Sequence, residues 1–224
     1  MSNNDIERNT VSALEQVHEK FKMVNNVKGG LKVLFLGNSI TLHEKKPEIG
    51  WYNNWGMAAS KMENDYVHLV VKGLENRYGE LNYCITNVGL WEQNFWNDAV
   101  LKSFYASSDF SADIVIVRLG ENINRDRLKD YNIEEYFEKF VRYFSRQATR
   151  IIITNLFWPY EELDAAIKNV SNYVNGQYVS ISDLGCEDEN KAIGLFEHEG
   201  VALHPGDKGM AKIAERILAA MGKL

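Results

Sequence analysis

A chain of 224 residues with 45% hydrophobic content can bury one substantial core, and no shift in composition divides it, so a single domain over 1–224 is expected. The formal net charge of −6, with lysines and arginines scattered among the acids, argues against a nucleic-acid or anionic-membrane partner and for a small or neutral one. Cys84 and Cys186 have no paired spacing and no neighbouring histidine at metal-ligand distance, and Cys84 lies in an apolar run that predicts a buried small hydrophobe.

The N-terminus, "MSNNDIERNT", has neither a basic n-region nor an apolar h-region, and no apolar run approaches membrane-spanning length. As the sequence stands the expected compartment is the cytoplasm, or the periplasm or exterior if a leader has been removed. Val11, Leu14, Val17 and Phe21 fall at helical spacing, predicting a helical extension over residues 1–28 that ends at the breaker Lys28-Gly29-Gly30. Five short apolar runs follow: "LKVLFLG", "NYCITNVG", "ADIVIVRLG", "RIIITNLFW" and "QYVSISDLG". Most are rich in β-branched residues and several end on glycine, as buried parallel strands do. Between and after them, "DYVHLVVKGLENRYG", "IEEYFEKFVRYFSRQA" and "DKGMAKIAERILAAMGKL" carry apolar residues three and four apart. Such alternation predicts right-handed crossovers and a three-layer α/β/α sandwich around a mainly parallel, five-stranded sheet.

Ligands of such sheets bind beyond the carboxyl ends of the strands, which places Ser39, Gly89 and Gly120 on one rim. Ser39 directly follows the first predicted strand, in "LFLGNSIT", where Gly37 permits a tight turn. A serine hydroxyl needs a base to become a nucleophile. His204, in "VALHPGDKGM", is the candidate, on a loop held by Pro205 and by an N-cap at Asp207. His18 and His68 fall in helical stretches, while His43 and His198 fall in loops as weaker alternatives. Oxyanion donors could come from Gly89 in "NVGLWEQ" and from the Asn122 amide in "RLGENIN".

These stations, in this order, resemble the SGNH (GDSL-like) hydrolase superfamily over nearly the whole chain after residue 30. "GNSIT", "NVG", "GEN" and "LHPGDKGM" are similar to its four blocks. The resemblance implies a flavodoxin-like sandwich, Ser39 as nucleophile and His204 as general base. It implies an oxyanion hole of the Ser39 N–H, the Gly89 N–H and the Asn122 side chain, with no metal or organic cofactor. The chain departs from the family at Asn38, where aspartate is usual, at Ile123, where a second aspartate is usual, and at Val201, where the triad acid would stand. Glu199 or Glu197 could replace that acid through a longer loop, with Glu199 the first choice; a backbone carbonyl could orient the histidine instead. Trp51, Trp55, Trp91 and Glu121 are candidates for the substrate pocket, the tryptophans as a platform for a sugar or acyl group or as core. Arg118 is expected to be partly buried in an ion pair with Glu121 or Asp183.

The expected activity is an esterase removing small acyl groups, acetyl first, from carbohydrate. The alternatives are a non-catalytic carbohydrate-binding relative and a flavodoxin-like module binding phosphate or flavin. Against the last, Pro47 and an aromatic stretch separate "GNSIT" from the next helix, and no Gly-Lys-Ser/Thr is present. An α/β-hydrolase elbow fails at Thr41, where Gly-x-Ser-x-Gly needs glycine.

Overall fold

The computed structural model describes residues 21–25 and 27–222. Its strands are β1 (Phe21–Val24), β2 (Lys32–Gly37), β3 (Asn82–Asn87), β4 (Ile114–Arg118), β5 (Arg150–Thr154) and β6 (Gln177–Val179). The α-helices are α1 (Tyr66–Tyr78), α2 (Gly89–Gln93), α3 (Tyr105–Asp109), α4 (Ile133–Phe144), α5 (Glu161–Tyr173), α6 (Glu199–Ala202) and α7 (Asp207–Met221). The strands form one six-stranded sheet in the order β1-β3-β2-β4-β5-β6. All neighbours from β3 to β6 pair in parallel, and β1 lies antiparallel against β3, with Phe21 opposite Thr86 and Val24 opposite Tyr83.

Alternation along the strands builds the layers. Val33 and Phe35 of β2 join Ile85, Ile114 and Ile116 beneath α1 and α7, whereas Leu34 and Leu36 join Cys84, Val115 and Val117 beneath α4 and α5. Every residue of β4 is buried, as a central strand covered on both faces requires. The result is a three-layer α/β/α sandwich. Helix α1 is capped by Asp65, whose carboxylate accepts the His68 N–H at 2.8 Å, and packs Val67, Val70, Val71 and Leu74 inward. No helix among the described residues is long and apolar enough to cross a membrane.

The five predicted strands are all present, but the expected five-stranded sheet gains β1 and becomes mixed. Periodicity places Phe21–Val24 in the helical extension, whereas the segment is a strand; the extension up to residue 20 lies outside the described residues. The outer edge of β3 would otherwise expose unpaired N–H and C=O groups, and β1 satisfies them. A second correction concerns Asp207. Gly206 is the cap of α7, and the Asp207 carboxylate instead accepts the Ser60 N–H at 2.8 Å, the Ser60 hydroxyl at 2.6 Å and the Asn64 amide at 2.7 Å. It ties the loop after Ser39 to the start of the last helix.

Consecutive crossovers leave β2 for opposite faces, first to β3 and then, from β3, to β4 on its other side. A crevice opens at such a switch point, beyond the carboxyl end of β2. Gly37 ends that strand, and a Cβ there would overlap Thr41 Oγ1 and stand 2.6 Å from the Arg118 carbonyl oxygen. Gly37→Ala should therefore destabilise the fold by roughly 1–3 kcal/mol, the usual cost of overpacking. An equilibrium denaturation midpoint equal to that of the unsubstituted protein would contradict the tight turn.

Candidate active site

Beyond Gly37 the chain turns sharply: the Asn38 carbonyl accepts the Thr41 and Leu42 N–H groups at 2.9 and 3.0 Å, and the Ser39 carbonyl accepts the Met57 N–H at 2.8 Å. The Ser39 hydroxyl stands on the rim, half-buried, and its own N–H has no hydrogen-bond partner among the described residues. His204 reaches the same point from the segment before α7. Its carbonyl accepts the Ala192 N–H at 2.9 Å, and Gly206 N–H binds the Asn190 carbonyl at 3.0 Å, so the loop is fixed on both sides of the ring.

His204 Nε2 lies 2.8 Å from Ser39 Oγ, and Nδ1 lies 2.6 Å from the Gly200 carbonyl oxygen. A carbonyl can only accept, so Nδ1 carries the proton and Nε2 offers its lone pair to the serine. The Trp158 ring stands edge-on to the imidazole, with centroids 5.0 Å apart. Burial holds the His204 pKa down, to about 4; the Gly200 bond pulls it up, and the nearby Arg118 charge adds to the lowering.

Glu199, the expected acid, is exposed as the first residue of α6 and makes no contact with the ring; Glu197 is exposed as well. The physical reason is the short helix itself, which turns the Gly200 carbonyl onto Nδ1 and leaves both carboxylates in solvent. Val201 is fully buried in an apolar cluster with Trp51, Met57, Ala58 and Ala192.

Asn122 is exposed on the cleft, and its Nδ2 donates to Glu92 Oε2 at 3.0 Å. The Gly89 N–H, expected to face an oxyanion, instead donates to Asn87 Oδ1 at 2.9 Å, and Asn87 Nδ2 donates to the Leu42 carbonyl at 2.7 Å. Asparagine side chains readily capture the N–H two residues on, which is what withdraws this donor. The cleft has a volume of about 330 Å³ and is lined by Ser39, His43, Asn87, Asn122, His198 and His204 among others.

Beneath it lies a buried polar cluster. Arg118 is fully buried, donates to Asn38 Oδ1 at 2.9 Å and pairs with Glu121. Asn38 Nδ2 donates to Glu121 Oε2 at 2.6 Å and to Glu92 Oε1 at 3.2 Å. The Phe157 N–H also binds Glu121, at 2.9 Å. Burial pushes the Glu121 carboxyl up, but the Arg118 charge and these hydrogen bonds outweigh it and hold it below the usual range. Glu92 is fully buried and accepts the Gly120 N–H at 2.6 Å and the Asn122 N–H at 3.3 Å; burial, and then the Glu121 charge, raise its pKa.

The four pocket candidates are placed elsewhere. Glu121 belongs to the ion pair, as Arg118 required, while Asp183 pairs with Arg216. Trp91 is core, 4.2 Å centroid to centroid from Phe140. Trp51 is fully buried and packs edge-on against Trp55, whose Nε1 donates to the Ala59 carbonyl at 3.0 Å. Large rings with apolar neighbours gain more from burial than from lining a wet rim. Ile123 is likewise core, and Cys84 is buried as its run predicted. Sequence reasoning did not single out Glu92, Asn87 or Trp158. Asn87 ends β3 and the other two stand in segments that follow a strand, and that position was the available signal.

No family model matches the sequence, and no curated protein does. Among solved structures, the chain is similar to a two-domain esterase (CEX) active on acetylated mannans, with 19% identity and a TM-score of 0.56 over 86% of this chain and 48% of that one. It therefore spans about half the length of that esterase. It is also similar to the psychrotrophic esterase EstA from Pseudoalteromonas sp., solved in a form inhibited by monoethylphosphonate, with 14% identity and a TM-score of 0.51 over 86% and 97% of the two chains. With its mostly parallel sheet and these likenesses, the chain shares the fold of these two esterases.

Proposed function

We propose that this protein is a serine esterase that removes small acyl groups, acetyl first, from carbohydrate. The observation that carries the reading is the 2.8 Å contact between Ser39 Oγ and His204 Nε2 at the edge of the cleft, with Nδ1 held by a carbonyl in the tautomer a base needs. His204 takes the hydroxyl proton while Ser39 Oγ attacks the ester carbonyl, forming a tetrahedral oxyanion. The free Ser39 N–H and the Asn122 amide stabilise that oxygen. An amide has two N–H donors, and Glu92 occupies one, leaving the second for the cleft. His204 then protonates the departing sugar hydroxyl, and water, activated the same way, releases the acid.

The substrate side rests on shape. A cleft of about 330 Å³ suits a short acyl group. Ile49 and His198 line this cleft and also a neighbouring groove of about 630 Å³ that contains Glu48, Tyr52, Leu195 and Glu197. Tyr52 is 63% exposed, an aromatic face open to a sugar ring, and the carboxylates can accept hydroxyl hydrogen bonds. The mannan activity of the two-domain esterase agrees with this choice of substrate class.

A second reading, a non-catalytic carbohydrate-binding relative, is favoured by one observation: the partner at His204 Nδ1 is a carbonyl, with no carboxylate. Turnover of p-nitrophenyl acetate separates the two. The esterase reading expects wild-type hydrolysis, none with Ser39→Ala, and a fall of about 10²- to 10⁴-fold with His204→Ala, the usual worth of a general base. Sugar binding without turnover would select the second reading.

The pH profile gives an independent check. The base works neutral, and a pKa lowered to about 4 keeps it neutral above that value. The acid limb of kcat/KM should therefore fall through about pH 4; a limb near an ordinary histidine pKa would contradict a buried ring with a carbonyl, and no carboxylate, on Nδ1. For the groove, Tyr52→Ala should raise KM for an acetylated oligosaccharide by roughly three- to tenfold, the range of one aromatic contact, and leave p-nitrophenyl acetate unchanged. Equal effects on both substrates would remove the groove from the account.

A further inference from the structure

We infer that Glu92 is a positioning residue for the oxyanion side of the site: its carboxyl sets the orientation of the Asn122 amide and of the Gly120–Asn122 turn. This rests on the esterase reading above. Glu92 is fully buried on the short helix α2, yet its hydrogen bonds run to other elements. Oε1 receives the Gly120 N–H at 2.6 Å, the Asn38 amide at 3.2 Å and the Asn122 N–H at 3.3 Å, while Oε2 receives Asn122 Nδ2 at 3.0 Å. The backbone adds a further tie, since the Asn124 N–H donates to the Glu92 carbonyl at 3.2 Å.

All four groups that face the carboxyl are donors. An acceptor with two oxygens satisfies them together, whereas an amide would place its own N–H against one of them. A buried carboxyl is costly, and here it is kept with every one of these donors paired to it. Its contacts converge on the strand-end segments that carry the site: Asn38 precedes Ser39, and Asn122 lines the cleft. An exposed asparagine side chain samples several rotamers, and the bond to Glu92 Oε2 fixes one of them, with one N–H engaged and the other directed away from the carboxyl. Preorganised donors are what lower the barrier to an oxyanion, because they need no reorientation during the reaction.

The test is a double-mutant cycle on p-nitrophenyl acetate hydrolysis, using the nearly isosteric Glu92→Gln, Asn122→Ala and the double variant, with Ser39→Ala as control and a melting curve for each. Glu92→Gln should lower kcat by roughly 10- to 100-fold, within the loss expected for a whole oxyanion donor, and leave KM within about twofold. In the Asn122→Ala background the same substitution should change kcat by less than about twofold, because the group it positions is already gone. A kcat unchanged by Glu92→Gln, or lowered by the same factor in both backgrounds, would overturn the assignment. If Glu92→Gln melts too low to assay, Glu92→Asp, which retains the carboxyl but retracts it from Asn122, must show the same dependence on background. Turnover that survives Ser39→Ala would sink the esterase reading itself, whereas normal Glu92→Gln turnover that Ser39→Ala abolishes would sink only the positioning role.

Discussion

A guanidinium removed from water must be paired, and the fully buried Arg118 at the end of β4 imposes that condition on everything around it. It is met by Glu121, three residues on, and by Asn38 Oδ1. Glu121 in turn receives Asn38 Nδ2 and the Phe157 N–H, so one ion pair holds together the carboxyl ends of β2, β4 and the segment after β5. Ser39 is the residue after Asn38, and Trp158, which stands against His204, is the residue after Phe157. The rim is therefore placed from below by charge pairing, and the hydrophobic layers fix only the strands that carry it.

This arrangement accounts for departures from the pattern of the family that the sequence resembles. An aspartate at position 38 would add a third carboxylate beside Glu92 and Glu121 with one cation to share. Asparagine instead accepts from Arg118 and donates to both acids, which an aspartate cannot do. At the histidine, a carbonyl dipole selects the tautomer but compensates an imidazolium less than a carboxylate would. Burial lowers the His204 pKa, and the carbonyl bond, which pulls it up, does not offset that burial. On the proposed esterase reading, such a base is available over a wide pH range and intrinsically weaker, which leaves more of the work to preorganised donors on the oxyanion side.

The sandwich and its rim were legible in the sequence because they rest on local signals. Short apolar runs, most of them β-branched and several ending in glycine, marked β2 to β6, and helical spacing marked α1, α4 and α7. Ser39 and His204 were legible for the same reason, each standing next to a strand or helix end that the fold brings to one edge. What escaped is what depends on partners distant in sequence. β1 exists because β3 has an open edge, and a four-residue segment with one residue at helical spacing does not reveal that. Trp51 and Trp91 read as platform or core, and only their neighbours, Val201 and Phe140 among them, decide for core. Glu199 was chosen by proximity in sequence to His204, while the Gly200 carbonyl is brought there by the turn of α6. Gly89 was credited with a free N–H, which Asn87, two residues earlier, captures.

Whether Ser39 is a nucleophile made reactive by His204 is decided by intact mass and peptide mapping after exposure to a fluorophosphonate. A single phosphonyl adduct should form on Ser39, be absent from Ser39→Ala and form far more slowly on His204→Ala. A wild-type protein that acquires no adduct, or an adduct that persists after Ser39→Ala, would rule that chemistry out.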